Sequence, residues 1–201
     1  MRWLIAGLFV SMVMFMMVPT DVPAQGNTVV AADLTVPDGA GGQMYVRNKR
    51  PDGLTKFSSD RIAIMVHGAT YPATAFDLPL AGKSWMDYMA ERGFDVYTFD
   101  LPGYGRSTRP AAMDQPADQN EPLMRTADAV KALGVVVDFV RGRNGVESIN
   151  LVGWPWGTVI TANYAADTPA KVARLALYAP PGSAPPRRWC RSRVSWAPIA
   201  P

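Results

Sequence analysis

Arg61 to Val66 carries a continuous apolar run, Ile-Ala-Ile-Met-Val, that stops at His67-Gly68. Such a run is what a strand buried on both faces of a parallel sheet requires. Asp95 to Phe99, Ile149 to Gly153 and Val172 to Tyr178 are read as further strands. Between them the period lengthens from two to about 3.6 residues. Gly82 to Gly93 places Trp85, Met86, Met89 and Ala90 at helical spacing, with Ser84 as a cap and Gly93 as a stop. Leu123 to Val140 is the longest helical stretch, with Ala129, Leu133, Val136, Val137 and Val140 on one face and Gly142 to Gly145 ending it. Gly157 to Ala166 is a helix of small and β-branched residues suited to burial against a sheet.

Ahead of these elements, Thr28 to Val36 and Gln43 to Arg47 are β-prone and flank the turn cluster Asp38-Gly-Ala-Gly-Gly42, which predicts an opening hairpin. Asn48 to Ser59 and Ser107 to Pro122 read as loops. Strand and helix otherwise alternate at βαβ spacing. The expected fold class is therefore α/β, with a mostly parallel sheet, an N-terminal antiparallel hairpin and helices on both faces.

The two ends depart from this pattern. Residues 1–24 have a positive start at Arg2, an apolar run from Trp3 to Val18 and a small-residue site at Val22-Pro23-Ala24. That is the layout of a signal peptide, and it predicts export to the periplasm or beyond. An uncleaved membrane anchor is the alternative, although the run is shorter than the roughly 20 residues a span needs. Residues 28–179 form the predicted domain. Residues 180–201 are an irregular Pro/Arg-rich tail with neither period, read as an irregular segment or as out-of-frame translation.

Charge adds little. The chain of 201 residues has 20 Lys and Arg against 17 Asp and Glu. The surplus lies in Arg187, Arg188, Arg191 and Arg193, so a nucleic-acid partner is not expected. A single cysteine, Cys190, rules out an internal disulfide, and a single histidine, His67, leaves no raw material for a histidine-based metal site. Neither a metal nor another cofactor is expected, and no stable membrane partner beyond the N-terminal segment.

Three motifs sit at the carboxyl ends of successive strands: His67-Gly68-Ala69, Asp100-Leu-Pro-Gly-Tyr-Gly-Arg-Ser107 and Gly153-Trp-Pro-Trp-Gly157. In order and placement they resemble the α/β-hydrolase superfamily, in particular exported hydrolases with a G-W-S-W-G nucleophile elbow. The resemblance covers residues 28–179 and implies an incomplete fold of that type. It implies that the backbone N–H groups of Ala69 and Trp156 form an oxyanion hole, and that His67, Gly68, Gly153 and Gly157 are motif residues. It also puts Pro155 where the nucleophilic serine belongs. Proline has no attacking group, and its φ is locked near −65°. After Pro155 the only acid is Asp167, and no histidine follows. His67 is read as a structural part of the oxyanion loop, Asp100 as a turn-former, Ser107 as a turn residue without a base, and one of Trp154 and Trp156 as facing the crevice.

The resemblance thus implies relatives that hydrolyse esters or similar small substrates, and a chain that is itself catalytically inactive. The alternatives are a non-enzymatic pseudo-hydrolase that binds a small molecule, and a truncated or frameshifted gene product.

Overall fold

The computed structural model describes residues 28–181. The signal-type segment 1–24, and the tail from residue 182 onward with Cys190, lie outside the described residues. Six strands form one sheet in the order β1-β2-β4-β3-β5-β6. They are β1 (Val29–Pro37), β2 (Gln43–Pro51), β3 (Ile62–Val66), β4 (Asp95–Phe99), β5 (Ile149–Gly153) and β6 (Val172–Leu177). The first two run antiparallel to each other, and β2 is antiparallel to β4, while β4, β3, β5 and β6 are mutually parallel. The expected mixed α/β architecture is what the chain adopts.

Alternation along the central strands sorts the core into two layers. Met65, Val96 and Val152 point to the face covered by α1 (Trp85–Ala90), where they pack with Phe76 and Met86. Ile62, Ile64, Val66, Tyr97, Phe99, Ile149 and Leu151 point to the other face. There they meet α2 (Thr126–Asn144) and α3 (Gly157–Asp167) through Leu133, Val136, Val137, Val140 and Ile160. Helix α1 begins where Ser84 predicts. The Ser84 hydroxyl accepts from the Asp87 N–H at 3.0 Å, and the Asp87 carboxylate accepts from the Ser84 N–H at 2.9 Å, a reciprocal capping box. Gly93, at φ +85°, allows the chain to turn into β4.

Two boundaries differ from the sequence pattern. Strand β2 continues through Asn48, Lys49, Arg50 and Pro51, which read as loop. These polar residues stay in the sheet because tertiary partners satisfy them. The Asn48 amide donates to Asp95 Oδ1 at 2.7 Å and to the Val96 carbonyl at 3.1 Å. The Lys49 ammonium lies between Asp77 at 2.5 Å and Asp87 at 2.6 Å. Helix α2 starts three residues later than Leu123, passes through Gly142, and ends at Gly145, whose φ of +66° makes the left-handed stop.

Strand β6 is the sheet's edge and pairs only with β5. Every residue from Ala173 to Leu177 is exposed, unlike the fully buried β3, β4 and β5. Among the described residues no helix is long and apolar enough to cross a membrane.

Candidate functional site

The parallel register aligns Val66 with Gly153 and Met65 with Thr98, so the loops after β3, β4 and β5 leave the sheet side by side. The glycines of these loops are there for close approach. A Cβ on Gly157 would fall inside the Val66 carbonyl oxygen, and one on Gly153 would meet the Gly157 carbonyl and the Thr161 hydroxyl. A Cβ on Gly68 would run into the Pro155 ring. The His67-Gly68-Ala69 loop and the Gly153–Gly157 turn are therefore in direct contact. The Trp154 N–H, donating to the Val66 carbonyl at 3.0 Å, locks them together.

His67 is fully buried under this crest. Its Nε2 lies 3.1 Å from the Leu101 N–H, a group that can only donate, so Nε2 is the acceptor. Its Nδ1 then carries the proton and donates to the Gly68 carbonyl at 2.6 Å. Both nitrogens are committed to backbone. Burial holds its pKa below the ordinary value, against the opposing pull of the Gly68 carbonyl and the Asp100 carboxylate. In the window between that lowered value and about 6.5, the unfolded chain binds a proton that the folded chain refuses. Stability contributed by neutral His67 is complete above that window and is lost as the pH falls through it. Urea midpoints at pH 7.5 and 5.5 should show a drop for the wild type. A variant with His67→Asn should be weaker at both values and lack that part of the slope.

Asp100 is a turn-former, as its place before Leu-Pro-Gly-Tyr-Gly suggests. One carboxylate oxygen accepts from the Ala73 N–H at 2.7 Å, and the other from the Arg106 N–H at 2.8 Å. Ser107 is equally occupied, donating to the Asp100 carbonyl at 2.5 Å and accepting from the Tyr45 N–H at 2.9 Å. Tyr104 had no role in the sequence pattern beyond its place in the motif. Its ring stands 5.0 Å from the His67 ring, centroid to centroid, and its hydroxyl donates to the Ala69 carbonyl at 3.0 Å.

Position 155 occupies the turn between β5 and α3. The only non-glycine residues at positive φ among the described residues are Ala81 and Ala179, so Pro155 does not take a left-handed turn conformation. Its carbonyl accepts from the Thr158 N–H at 3.1 Å and the Thr158 hydroxyl at 2.6 Å, and Trp156 already has helical angles of −65° and −28°. The turn therefore reads as a smooth entry into α3. The N–H groups of Ala69 and Trp156 flank the Gly68–Pro155 contact, and neither has an acceptor among the described residues. The two tryptophans diverge. Trp154 packs on the α1 side, edge-on to Phe76 at 6.1 Å and stacked on Tyr71 at 6.5 Å. Trp156 packs against the larger core, its Nε1 donating to the Thr126 hydroxyl at 3.3 Å. Both stay half-buried. Among the described residues no cluster of three or more His, Cys, Asp or Glu could hold a metal ion.

A model of the alpha/beta hydrolase fold family matches residues 64–197. The chain belongs to the α/β-hydrolase family. Its sequence is 35% identical over 97 residues to the poly(3-hydroxyalkanoate) polymerase subunit PhaC of Haloferax mediterranei, a match spanning 48% of this chain and 17% of that protein. It is 31% identical over 87 residues to the abhydrolase domain-containing protein abhd-5.2 of Caenorhabditis elegans, spanning 43% of this chain and 17% of that one. The hydrolase-family chain thus matches about a sixth of the length of these relatives. Among solved structures, a proline iminopeptidase from Mycobacterium smegmatis superposes with a TM-score of 0.56 at 24% identity, covering 75% of this chain and 44% of the other. A predicted CIB-like hydrolase from Thermoplasma acidophilum gives a TM-score of 0.54 at 18% identity, covering 76% and 64%. At these identities the structural likeness establishes the fold alone.

Proposed function

We propose that this α/β-hydrolase-family chain does not perform the acyl transfer by which serine members of such a fold open esters and similar small substrates. The observation that carries the reading is Pro155. It sits in the strand-to-helix turn after β5, packed on Gly68, at the position that the family's G-x-S-x-G pattern gives to its serine. Serine chemistry also needs an imidazole to take the hydroxyl proton and an acid to orient that imidazole. The chain's one histidine has both nitrogens bound to backbone.

Without the triad, an oxyanion hole and binding alone leave about 10³–10⁴ over water in well-studied cases. Here the amides of Ala69 and Trp156, which have no acceptor among the described residues, adjoin the Gly68–Pro155 contact. The test is hydrolysis of para-nitrophenyl acetate and butyrate by the purified full chain, together with labelling by a fluorophosphonate. Both should stay at background, and Pro155→Ser should stay there too, because a hydroxyl without a base gains little. Turnover by the wild type that is abolished by the phosphonate would overturn the reading.

A further inference from the structure

A hollow of about 620 Å³ is lined by the segment that joins β4 to α2. Pro102, Tyr104, Met113, Leu123 and Met124 supply most of its apolar wall. Met113 closes one side, its sulfur so close to Gly103 that an added Cβ there would meet it at 2.9 Å. A second hollow of about 420 Å³ shares Pro102, Leu123 and Met124 with the first. Residues 110–124 thus contribute to the walls of both hollows and are held at each end. Arg109 holds the near end through Asp114 and the Met113 carbonyl, each at 3.3 Å. Helix α2 holds the far end.

The geometry points to a binding site in the larger hollow for a small, neutral, predominantly apolar molecule carrying one hydrogen-bonding group. It goes beyond the proposed loss of ester hydrolysis and does not depend on it, because the Pro155 turn supplies none of the lining. The volume falls within the roughly 300–1,000 Å³ of ordinary small-molecule sites, and the mostly apolar wall with few polar groups is their usual composition. A protein partner would instead need on the order of 800 Å² of surface on each side. Charge selects a neutral occupant. Glu121, the only charged residue in the lining, is 87% exposed beside Arg125 at 2.6 Å, so the hollow buries no charge that would call for a charged occupant. The polar complement is Asn120, whose amide gives one N–H to the Pro116 carbonyl at 3.0 Å and keeps its Oδ1 and its second N–H for an occupant. Two methionines in the wall give it the adaptability that unbranched thioethers bring to irregular apolar sites.

The probe is N-phenyl-1-naphthylamine, neutral and apolar with one N–H, titrated by fluorescence into the full chain. Saturable enhancement is expected. Ala112→Trp, which fills the hollow, should weaken it at least tenfold. Leu175→Asp, on the exposed β6 edge, should leave it within twofold. Equal binding by Ala112→Trp, or loss in Leu175→Asp, would place the probe on the sheet edge and refute the site. Should Ala112→Trp fail to fold, methyl-labelled methionine in the wild type decides. Shifts of the Met113 and Met124 methyl signals on titration support the site. Shifts confined to Met89, which lines a separate hollow with Leu175 of β6, or no shifts at all, refute it.

Discussion

Replacing Gly157 with alanine will destabilise the fold by at least about 3 kcal/mol, even though alanine is the better helix former by about 1 kcal/mol. The first residue of α3 faces the Val66 carbonyl oxygen so closely that a methyl group has nowhere to go. That oxygen cannot yield, since it already accepts from the Trp154 N–H at 3.0 Å and ends a strand buried on both sides. The steric term therefore wins over propensity. In a domain of this size the loss corresponds to a melting point lower by roughly 6–12 °C. Gly142→Ala is the matched control. It lies in α2 with nothing within 4 Å of the added methyl, so propensity acts alone and should stabilise by about 0.5–1 kcal/mol. Urea unfolding of the pair reads the difference directly. Equal stabilities would mean that the turn after β5 does not press on β3.

Removing the Asp100 carboxylate should be nearly as severe. It is buried and holds the Ala73 and Arg106 N–H groups at 2.7 and 2.8 Å, which ties the loop after β3 to the loop after β4. Charge-assisted bonds of this kind are worth about 1.5–3 kcal/mol each, and both donors would lose their acceptor. The relief of no longer burying a charge offsets part of this, so Asp100→Ala is expected to cost about 3 kcal/mol. Asp100→Asn retains one acceptor but turns an amide N–H toward the other donor, so it should recover little. Hydrogen exchange distinguishes this from a general loosening. The Ala73 and Arg106 amides should exchange faster than the global unfolding rate allows, while amides in β3 follow the global rate. Unchanged protection at those two positions would remove the carboxylate from this role.

Much of the architecture was legible because it is written in local period. The five residues of β4 and the capping of α1 by Ser84 follow from pattern alone, as does the stop at Gly93. The end of β2 was not legible. Asn48 and Lys49 look like loop residues until Asp95, Asp77 and Asp87, distant in sequence, arrive to satisfy them. At the crest, the turn-forming role of Asp100 was readable from motif position, while the backbone partners of His67, Leu101 and Gly68, were not. The expectation that one tryptophan of the turn faces an open crevice was not met so simply. Trp154 finds Phe76 and Tyr71, and Trp156 finds Thr126, and each of those contacts is set by packing between elements. The hollow lined by residues 102–124 left no trace in the sequence, since a stretch rich in Pro, Asp and Gln gives no sign of how it folds back on itself.

The burial of the chain's solitary imidazole has a practical corollary. With one histidine in the polypeptide, its ring nitrogens give two nuclear resonances that need no assignment, one of protonated and one of bare nitrogen type. Any event that parts Leu101 from Gly68 would merge or move that doublet. The molecule therefore carries its own spectroscopic gauge of whether the ends of β3 and β4 are still joined.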